Sequence, residues 1–370
     1  MCASQQNLTS VIVSVPSGGA RRSRNKQLGL AGLPCARRGT LTDNGRVAKA
    51  PPTEAALATI RSIRDEPEKY DLRRDLAPLL RHKSNHVIAA AADTVGRLEA
   101  VALAPDLVDV FGELMKSPSK LDQGCKALTA IAKTLVLLDD PASKVYFAGI
   151  RHVQKEASFG PPVDNAASLR GLCAQGLARM SHPEALLECV RLLVDPEVAA
   201  RSGALRAIGE TGQPAAELLL RFKALIGDKD DEVMAECFAA LLALAPAQSA
   251  AFVAEFLQSQ VDGIAERAAL ALGESRLPAA LSLLRRAWEA TVEPGIRRTL
   301  LVAIAMLRQD DAVEFLVSRI AEDSQNAAVD ALTALAPYAR DEALRKRITE
   351  IVEQRNILSL RAAFEREYRV

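Results

Sequence analysis

The stretch Asp195–Gly209, DPEVAARSGALRAIG, contains the pattern that decides the fold. From Ala200 it reads apolar, Arg, two variable residues, two apolar residues, one variable residue, Ala, apolar, Gly. Apolar residues at the first, fifth, eighth and ninth places of this pattern share one face of an α-helix. The small residue at the eighth place lets a neighbouring helix approach closely. The stretch therefore predicts a helix that packs against other helices along one side.

The same pattern returns along most of the chain at a nearly constant spacing. Four further clear copies and three looser ones begin at Val87, Leu169, Ile264 and Ile296, and at Gln123, Val233 and Ala327. From Leu169 onward, successive copies begin 31 to 33 residues apart. A fixed period of this length is typical of repeat proteins, in which each unit stacks on its neighbours.

A second helical segment precedes each copy. Such segments are predicted at Pro183–Val194, Pro214–Ile226, Pro278–Ala290 and Asp310–Ala321, and the first of them places Leu187 and Val190 on its apolar side. Pro is well suited to a first helical turn, where its missing N–H costs no hydrogen bond. Each unit is therefore predicted to be an antiparallel helix pair. The loop carboxylates Asp164, Asp195 and Asp228 precede the second helices and are expected to accept hydrogen bonds from the amides that begin them.

The repeated unit resembles the HEAT repeat, in the short form found in the bacterial phycobilisome-lyase HEAT-like family. The resemblance covers about residues 72–340 and implies an all-α fold, a right-handed α-solenoid of about eight helix pairs. In such a solenoid the second helices line the concave side. The family's Arg at the second place of the pattern is matched by Arg170, Arg201 and Arg297. We expect each of these to bond the loop Asp of a neighbouring repeat.

The chain divides into three segments by composition and pattern. Residues 1–50 contain eight Lys and Arg against the single acid Asp43, and they show no helical period. We expect a disordered basic tail there, either a binding arm or a solvated extension. Residues 51–340 are predicted to form the repeat solenoid, and residues 341–370 its C-terminal capping helices.

Composition and charge narrow the classes of partner. The whole chain carries 47 Lys and Arg against 46 Asp and Glu, so its near-zero net charge gives no long-range attraction to nucleic acid or anionic membrane. No stretch approaches the roughly 18 uncharged apolar residues of a membrane span. Without a convincing targeting segment, the expected location is the cytoplasm, where the six cysteines would stay reduced.

Catalytic and metal-binding motifs do not stand out in the sequence. The cysteines form no CxxC pair, and His82 and His86 are four residues apart without an evident third ligand. HEAT-type hydroxylases that modify a lysine carry His-Glu pairs, and this chain contains no His-Glu dipeptide. Cys173 and Cys237 occupy a repeat position where small buried residues pack. The sequence thus predicts no catalytic residue, cofactor or metal, and it favours a non-enzymatic protein while leaving enzymatic activity open.

The function that the sequence favours is a scaffold that binds a protein or peptide in the concave groove. If the family topology holds, four acidic and four basic residues line this groove, which suits a protein surface better than phosphates. The candidate partner-binding residues are Arg206, Glu236, Glu266, Arg267 and Arg298. The loop around Phe159 is a further candidate, because the wider spacing of 46 residues before Leu169 and the run Gly160-Pro161-Pro162 interrupt the helical repeat.

Two alternatives stay open at this point. A nucleic-acid-binding HEAT-like protein, such as a DNA glycosylase, would need a basic channel and aromatic side chains. The single Trp, Trp288, is expected on the convex side instead. A tetrapyrrole (bilin) lyase or isomerase is implied by the family resemblance alone. The partner's identity and the oligomeric state do not follow from the sequence.

Overall fold

A computed structural model describes residues 52–368 of the chain, apart from Asp262. The predicted basic tail at residues 1–50 lies outside these residues. Most of the described chain is helical. In chain order its first helices are α1 Pro52–Asp65, α2 Leu72–Leu80, α3 Asn85–Arg97, α4 Ala104–Met115, α5 Pro118–Leu121, α6 Lys126–Leu137, α7 Ser143–Ile150, α8 Ala167–Arg179, α9 Ala185–Leu192 and α10 Val198–Glu210.

The remaining helices continue the same alternation to the end of the described chain. They are α11 Pro214–Ile226, α12 Asp231–Leu244, α13 Pro246–Glu255, α14 Ile264–Ser275, α15 Pro278–Ala290, α16 Pro294–Met306, α17 Asp310–Glu322, α18 Gln325–Ala334, α19 Glu342–Arg355 and α20 Leu358–Glu367. Four 3₁₀ turns lie at Pro67–Lys69, Val101–Leu103, Phe256–Gln258 and Ala336–Tyr338. Two short strands, β1 Lys155–Glu156 and β2 Val163–Asp164, pair antiparallel.

The helices form stacked pairs, which confirms the predicted all-α solenoid. Each predicted copy of the pattern falls on the second helix of a pair: α3, α6, α8, α10, α12, α14, α16 and α18. Each first helix packs on its own second helix, and successive second helices pack directly on one another. The pair α19/α20 packs on α17 and α18 in the same way, in the segment predicted as capping helices. At the other end, α1 packs on α3 in the position of a preceding second helix.

Local chemistry explains where the helix boundaries differ from those predicted. The copy at Gln123 becomes helical only at Lys126, because Gly124 and Cys125 have left-handed φ angles of 78° and 54°. The helix that was predicted to begin at Pro183 is α9, and it begins at Ala185 instead. The His182 ring accepts a hydrogen bond from the Glu184 amide and holds the chain in a turn there.

Small residues set the closest approach between second helices. In α8 and α10, Gly171 and Gly203 face each other, so that a Cβ built on Gly171 would lie 3.0 Å from the Gly203 Cα. In α14, a Cβ on Gly273 would collide with the backbone of Ala303 in α16. The closest contacts between second helices therefore depend on glycine at these positions rather than on large apolar side chains.

Candidate partner-binding face of the second helices

The predicted groove residues lie on the outward side of successive second helices, which we call the second-helix face. Arg206 of α10 pairs with Glu236 of α12, with Nε 3.2 Å from Oε1. Arg298 of α16 pairs with Asp330 of α18 at 3.0 Å. The structure thus brings Arg206 and Glu236 together across neighbouring repeats. These pairs are partly exposed, so each contributes about 1 kcal/mol or less to stability.

The other two predicted groove residues have different surroundings. Arg267 of α14 turns back to Asp231 at the start of α12, with Nη2 2.7 Å from Oδ2. Glu266 is half-buried and makes no ion pair with another described residue. Along this part of the face, arginines are matched by carboxylates of an adjacent repeat. The resulting surface is mixed in charge, and it lacks the basic stripe that a phosphate backbone attracts.

Buried arginines join consecutive repeats beneath this face. Arg170 of α8 is 2% exposed, and it donates to Asp195 at 2.9 Å and to Asp164 at 2.8 Å. Arg201 of α10 donates to Asp228 at 2.9 Å and also contacts Asp230. Both arginines therefore bond the loop Asp of the following repeat, as predicted.

The loop carboxylates also accept hydrogen bonds from backbone amides, although from the residue just before each second helix rather than from the helix itself. Asp195 accepts from the Glu197 amide at 2.9 Å, and Asp228 accepts from the Asp230 amide at 3.0 Å. Burial by itself would raise the pKa of the Asp228 carboxyl, but hydrogen bonds from Arg201 and Lys223 outweigh it and hold that pKa below its ordinary value. The same balance, with hydrogen bonds from two amides and Arg170, lowers the pKa of Asp164.

The expectation for Arg297 is wrong. Its Nη1 donates to the carbonyl oxygens of Trp288 and Thr291, both at 2.9 Å, and its guanidinium lies 4.0 Å from the centroid of the Trp288 ring. The corresponding loop acid is Asp323, which directly follows α17. It accepts a hydrogen bond from Arg319 of α17 at 3.0 Å instead. A cation–π contact and two carbonyls thus replace the missing carboxylate.

Trp288 lies in a first helix, as predicted, but it is buried rather than displayed on the convex side. Its side chain is 4% exposed and packs edge-to-face against Phe315, with ring centroids 5.8 Å apart. Arg297 covers its other side. Trp288 is therefore a core residue of the C-terminal repeats.

A buried polar network, which the sequence reasoning missed, supports the irregular unit between α6 and α8. Asp122 is fully buried and accepts hydrogen bonds from three amides at the start of α6 and from Asn85 of α3. Gln154 donates to the Asp122 carbonyl at 2.8 Å and to Glu156 at 2.6 Å. Glu156 also accepts from the Gly124 amide at 2.9 Å. An Asp four residues ahead of a helix start was the available sequence signal for this network.

This network fixes the base of a hairpin whose tip projects from the fold. Strands β1 and β2 pair Lys155 with Asp164, and the residues between them contain Gly160-Pro161-Pro162. Phe159 at the tip is fully exposed.

A second surface lies on the first helices α9 and α11, where the apolar side predicted for Leu187 and Val190 faces outward. Cys189 and Leu192 face the core instead, because they lie on the opposite side of α9. On α11, Leu218 and Phe222 are 70% and 62% exposed. Apolar patches of this kind mark interaction sites in many proteins.

The thiol groups of the described chain are packing residues. Cys173 and Cys237 are fully buried, as predicted, and Cys125 and Cys189 are buried as well. Burial raises the pKa of the Cys125, Cys189 and Cys237 thiols to about 12, so they stay protonated at neutral pH.

The remaining chemistry of the described residues is limited. The His82 ring accepts the Ser84 amide at 3.0 Å. No group of three or more His, Cys, Asp or Glu side chains between residues 52 and 368 is arranged to hold a metal ion. In the same part of the chain, no helix combines the length and apolarity that crossing a membrane would need.

Comparisons with known proteins give only distant likenesses. No family model matches the sequence, and no curated protein matches it. Among solved structures, human deoxyhypusine hydroxylase is 19% identical, with 73% of this chain and 98% of that chain covered and a TM-score of 0.31. An engineered protein is 17% identical over 85% of this chain and 93% of that chain, with a TM-score of 0.34.

The complex of CpcE and CpcF of phycocyanin lyase from a Nostoc species is also similar. It is 13% identical, with 88% of this chain and 100% of that chain covered and a TM-score of 0.33. By its own geometry, the described part of the chain is a solenoid of stacked helix pairs. Likenesses at these TM-scores bear on neither its substrates nor its partners.

Proposed function

We propose that the protein is a non-enzymatic scaffold that binds a protein partner along the second-helix face. The observation that carries the proposal is the composition of this face, where exposed ion pairs such as Arg206–Glu236 and Arg298–Asp330 alternate with small and apolar residues. Half-buried Leu172 and Leu270 lie between the charged positions. Such a mixture of apolar and polar groups is typical of protein–protein interfaces.

The ion pairs of the second-helix face also favour specific recognition of one partner over general attraction of any charged molecule. An exposed ion pair between repeats is worth little to the fold, so either member can exchange its partner for a group on another protein. Arginines are frequent anchors in interfaces because the guanidinium binds carboxylates with two parallel hydrogen bonds. Residues from several repeats would act together, since one helix alone offers too small an area for a specific interface.

The alternative functions have less support. A nucleic-acid-binding face would need a continuous excess of cations, whereas Arg206, Arg267 and Arg298 each have a carboxylate within 3.2 Å. The bilin-lyase alternative rests on family resemblance alone. The described cysteines are buried and protonated, which disfavours a role as thiolate nucleophiles.

Affinity capture with the full-length chain tests the proposal. The face variant carries Arg206→Glu, Arg267→Glu and Arg298→Glu. A matched control makes the same change of charge at exposed positions of first helices that form no ion pair with another described residue: Arg73→Glu, Arg286→Glu and Lys346→Glu. We expect the wild type and the control to retain the same partner protein and the face variant to lose it, with unchanged circular dichroism.

Two results would contradict the proposal. If no protein is retained specifically by the wild type, the chain is not a scaffold of this kind. If the face variant retains the partner as well as the control does, binding takes place elsewhere. The hairpin tip at Phe159 and the outward side of α11 would then be the surfaces to alter next.

A further inference from the structure

A cluster of cationic side chains lies at the N-terminal end of the second-helix face. There, α1, α3 and α6 enclose an open cavity of about 590 Å³. The charged residues that line it are Arg61, Arg64, Asp93, Arg97 and Lys133. Four of these are cationic and one is anionic, so the cavity carries a net positive charge.

The cations of this cavity have few partners. Lys133 lies 3.5 Å from Asp93, and Arg64 lies 3.2 Å from Asp65. Arg61 and Arg97 are exposed and form no ion pair or side-chain hydrogen bond with any residue between 52 and 368. Farther along the same face, by contrast, Arg206, Arg267 and Arg298 are all paired.

The helix dipole does not account for all four cations of this cavity. Arg64 and Arg97 lie in the last turns of α1 and α3, where a cation is favoured by the helix dipole. Arg61 lies one turn before the end of α1, and Lys133 lies within α6. The helix dipole therefore accounts for the charges of Arg64 and Arg97 but not for those of Arg61 and Lys133.

The cavity also has an apolar side. Leu57 is half-buried beside Ile60, and Leu137 on the facing helix α6 is 57% exposed. A ligand that only carried charge, such as phosphate, would leave these leucines facing water. A ligand with apolar groups between its anionic groups would cover them and satisfy the arginines at the same time.

We propose that this cavity binds an acidic segment of a partner protein in which carboxylates alternate with large apolar side chains. Carboxylates would pair with Arg61 and Arg97, and an apolar side chain would pack between Leu57 and Leu137. This proposal rests on the proposed scaffold function and names the chemistry of the partner segment. Complementary charge would also steer the segment to this end of the face.

A second cavity of similar size has the opposite charge. It has a volume of about 640 Å³ and lies beside the starts of α14 and α16. Its charged lining residues are Glu266 and Glu293, and none of the described residues that line it is cationic. An acidic segment would be repelled there, so these two cavities should respond in opposite ways to the same probe.

Fluorescence anisotropy with the full-length chain tests the proposal. The probe is a short fluorescein-labelled peptide in which Asp and Glu alternate with Leu, and a second peptide has Ser in place of each Leu. The cavity variant is Arg61→Glu with Arg97→Glu. The control is Arg73→Glu with Arg286→Glu, which makes the same change of charge on first helices.

We expect the cavity variant to bind the Leu-containing peptide at least about tenfold more weakly than the wild type, the change produced by losing one strong charge pair. The control should bind like the wild type. Replacing Leu by Ser in the peptide, or Leu137 by Ser in the protein, should also weaken binding. Leu137 is largely exposed, so its replacement should leave the fold intact.

Several results would overturn the proposal. Equal affinity of the wild type and the cavity variant would remove the cavity from the binding site. Equal weakening of the control would mean that the peptide responds to net charge alone. Equal binding of both peptides, with displacement by inorganic phosphate or by a single-stranded oligonucleotide, would assign the cavity to phosphate groups instead.

The two proposals can fail separately. If the peptide does not use the cavity but the Arg206, Arg267 and Arg298 variant still loses its captured partner, the scaffold function stands and only the identity of the cavity's ligand is wrong. If that variant keeps its partner and the peptide binds in the cavity as described, the binding surface is restricted to the N-terminal end of the face.

Discussion

Two arginines on one helix, Arg201 and Arg206 of α10, have opposite surroundings. Arg201 has a side chain that is 5% exposed, and it joins two repeats through Asp228 and Asp230. Arg206 has a side chain that is 49% exposed, and it reaches Glu236 across the second-helix face. A buried pair leaves a costly unpaired charge when one partner is removed, whereas an exposed pair is solvated and contributes little. Burial thus distinguishes Arg201, which holds two repeats together, from Arg206, which is exposed and free to bind a partner.

The largest expected effect is the loss of the buried arginine. Arg201→Met would leave Asp228 and Asp230 without their main counterion, at a cost of about 3–5 kcal/mol. Arg206→Met would cost about 1 kcal/mol or less, because Glu236 would be left in contact with water. Urea unfolding followed by circular dichroism measures both variants against the wild type. Equal costs would mean that burial does not separate the two arginines.

A smaller effect is expected from closing the space between α8 and α10. Gly203→Ala would place a methyl group against the Gly171 Cα, and separating the two helices would cost about 1–3 kcal/mol. The matched control is Gly112→Ala in α4, where a Cβ meets nothing within 4 Å. That change should stabilise the protein by about 0.5–1 kcal/mol through helix propensity. A neutral or stabilising Gly203→Ala variant, measured by the same unfolding curves, would show that the joint tolerates a wider spacing.

The smallest effect concerns pH. The pKa of Asp228 is lowered in the fold, so the stability it contributes is fully present above the ordinary carboxyl value of 3.8. That contribution is lost as pH falls from 3.8 through the lowered value. In the Arg201→Met variant the pKa of Asp228 returns toward its ordinary value, so unfolding curves should show a shallower decline of stability in this range. An unchanged decline would locate the acid sensitivity in other carboxylates.

The period in the sequence was sufficient to predict the repeats. Every copy, including the loose one at Gln123, fell on a second helix, because apolar spacing along one face is a local property that the sequence displays directly. For Arg170 and Arg201, the prediction that each bonds the loop Asp of a neighbouring repeat was correct. The prediction for Arg297 was wrong, because Asp323 accepts its hydrogen bond from Arg319, which is only four residues away in the sequence.

Features that depend on several distant segments could not be predicted. Asp122 and Gln154 are joined only after the hairpin folds back onto α6. The cationic cavity is formed partly by α1, which lies before the first copy of the pattern, so the repeat gave no reason to place Arg61 beside Arg97. The exposed pairs likewise depend on how neighbouring repeats are rotated, which a spacing of 31 to 33 residues does not specify.

Hydroxyl-radical footprinting of the full-length protein, alone and with its captured partner, tests the central claim most directly. The exposed side chains Leu137 on the second-helix face and Leu218 and Phe222 on the first helix α11 are comparable reporters within one molecule. If the partner covers the second-helix face together with its N-terminal cavity, it should protect Leu137 and leave Leu218 and Phe222 as reactive as before. Protection of Leu218 and Phe222 with Leu137 unchanged would contradict the account and place the partner on the first helices.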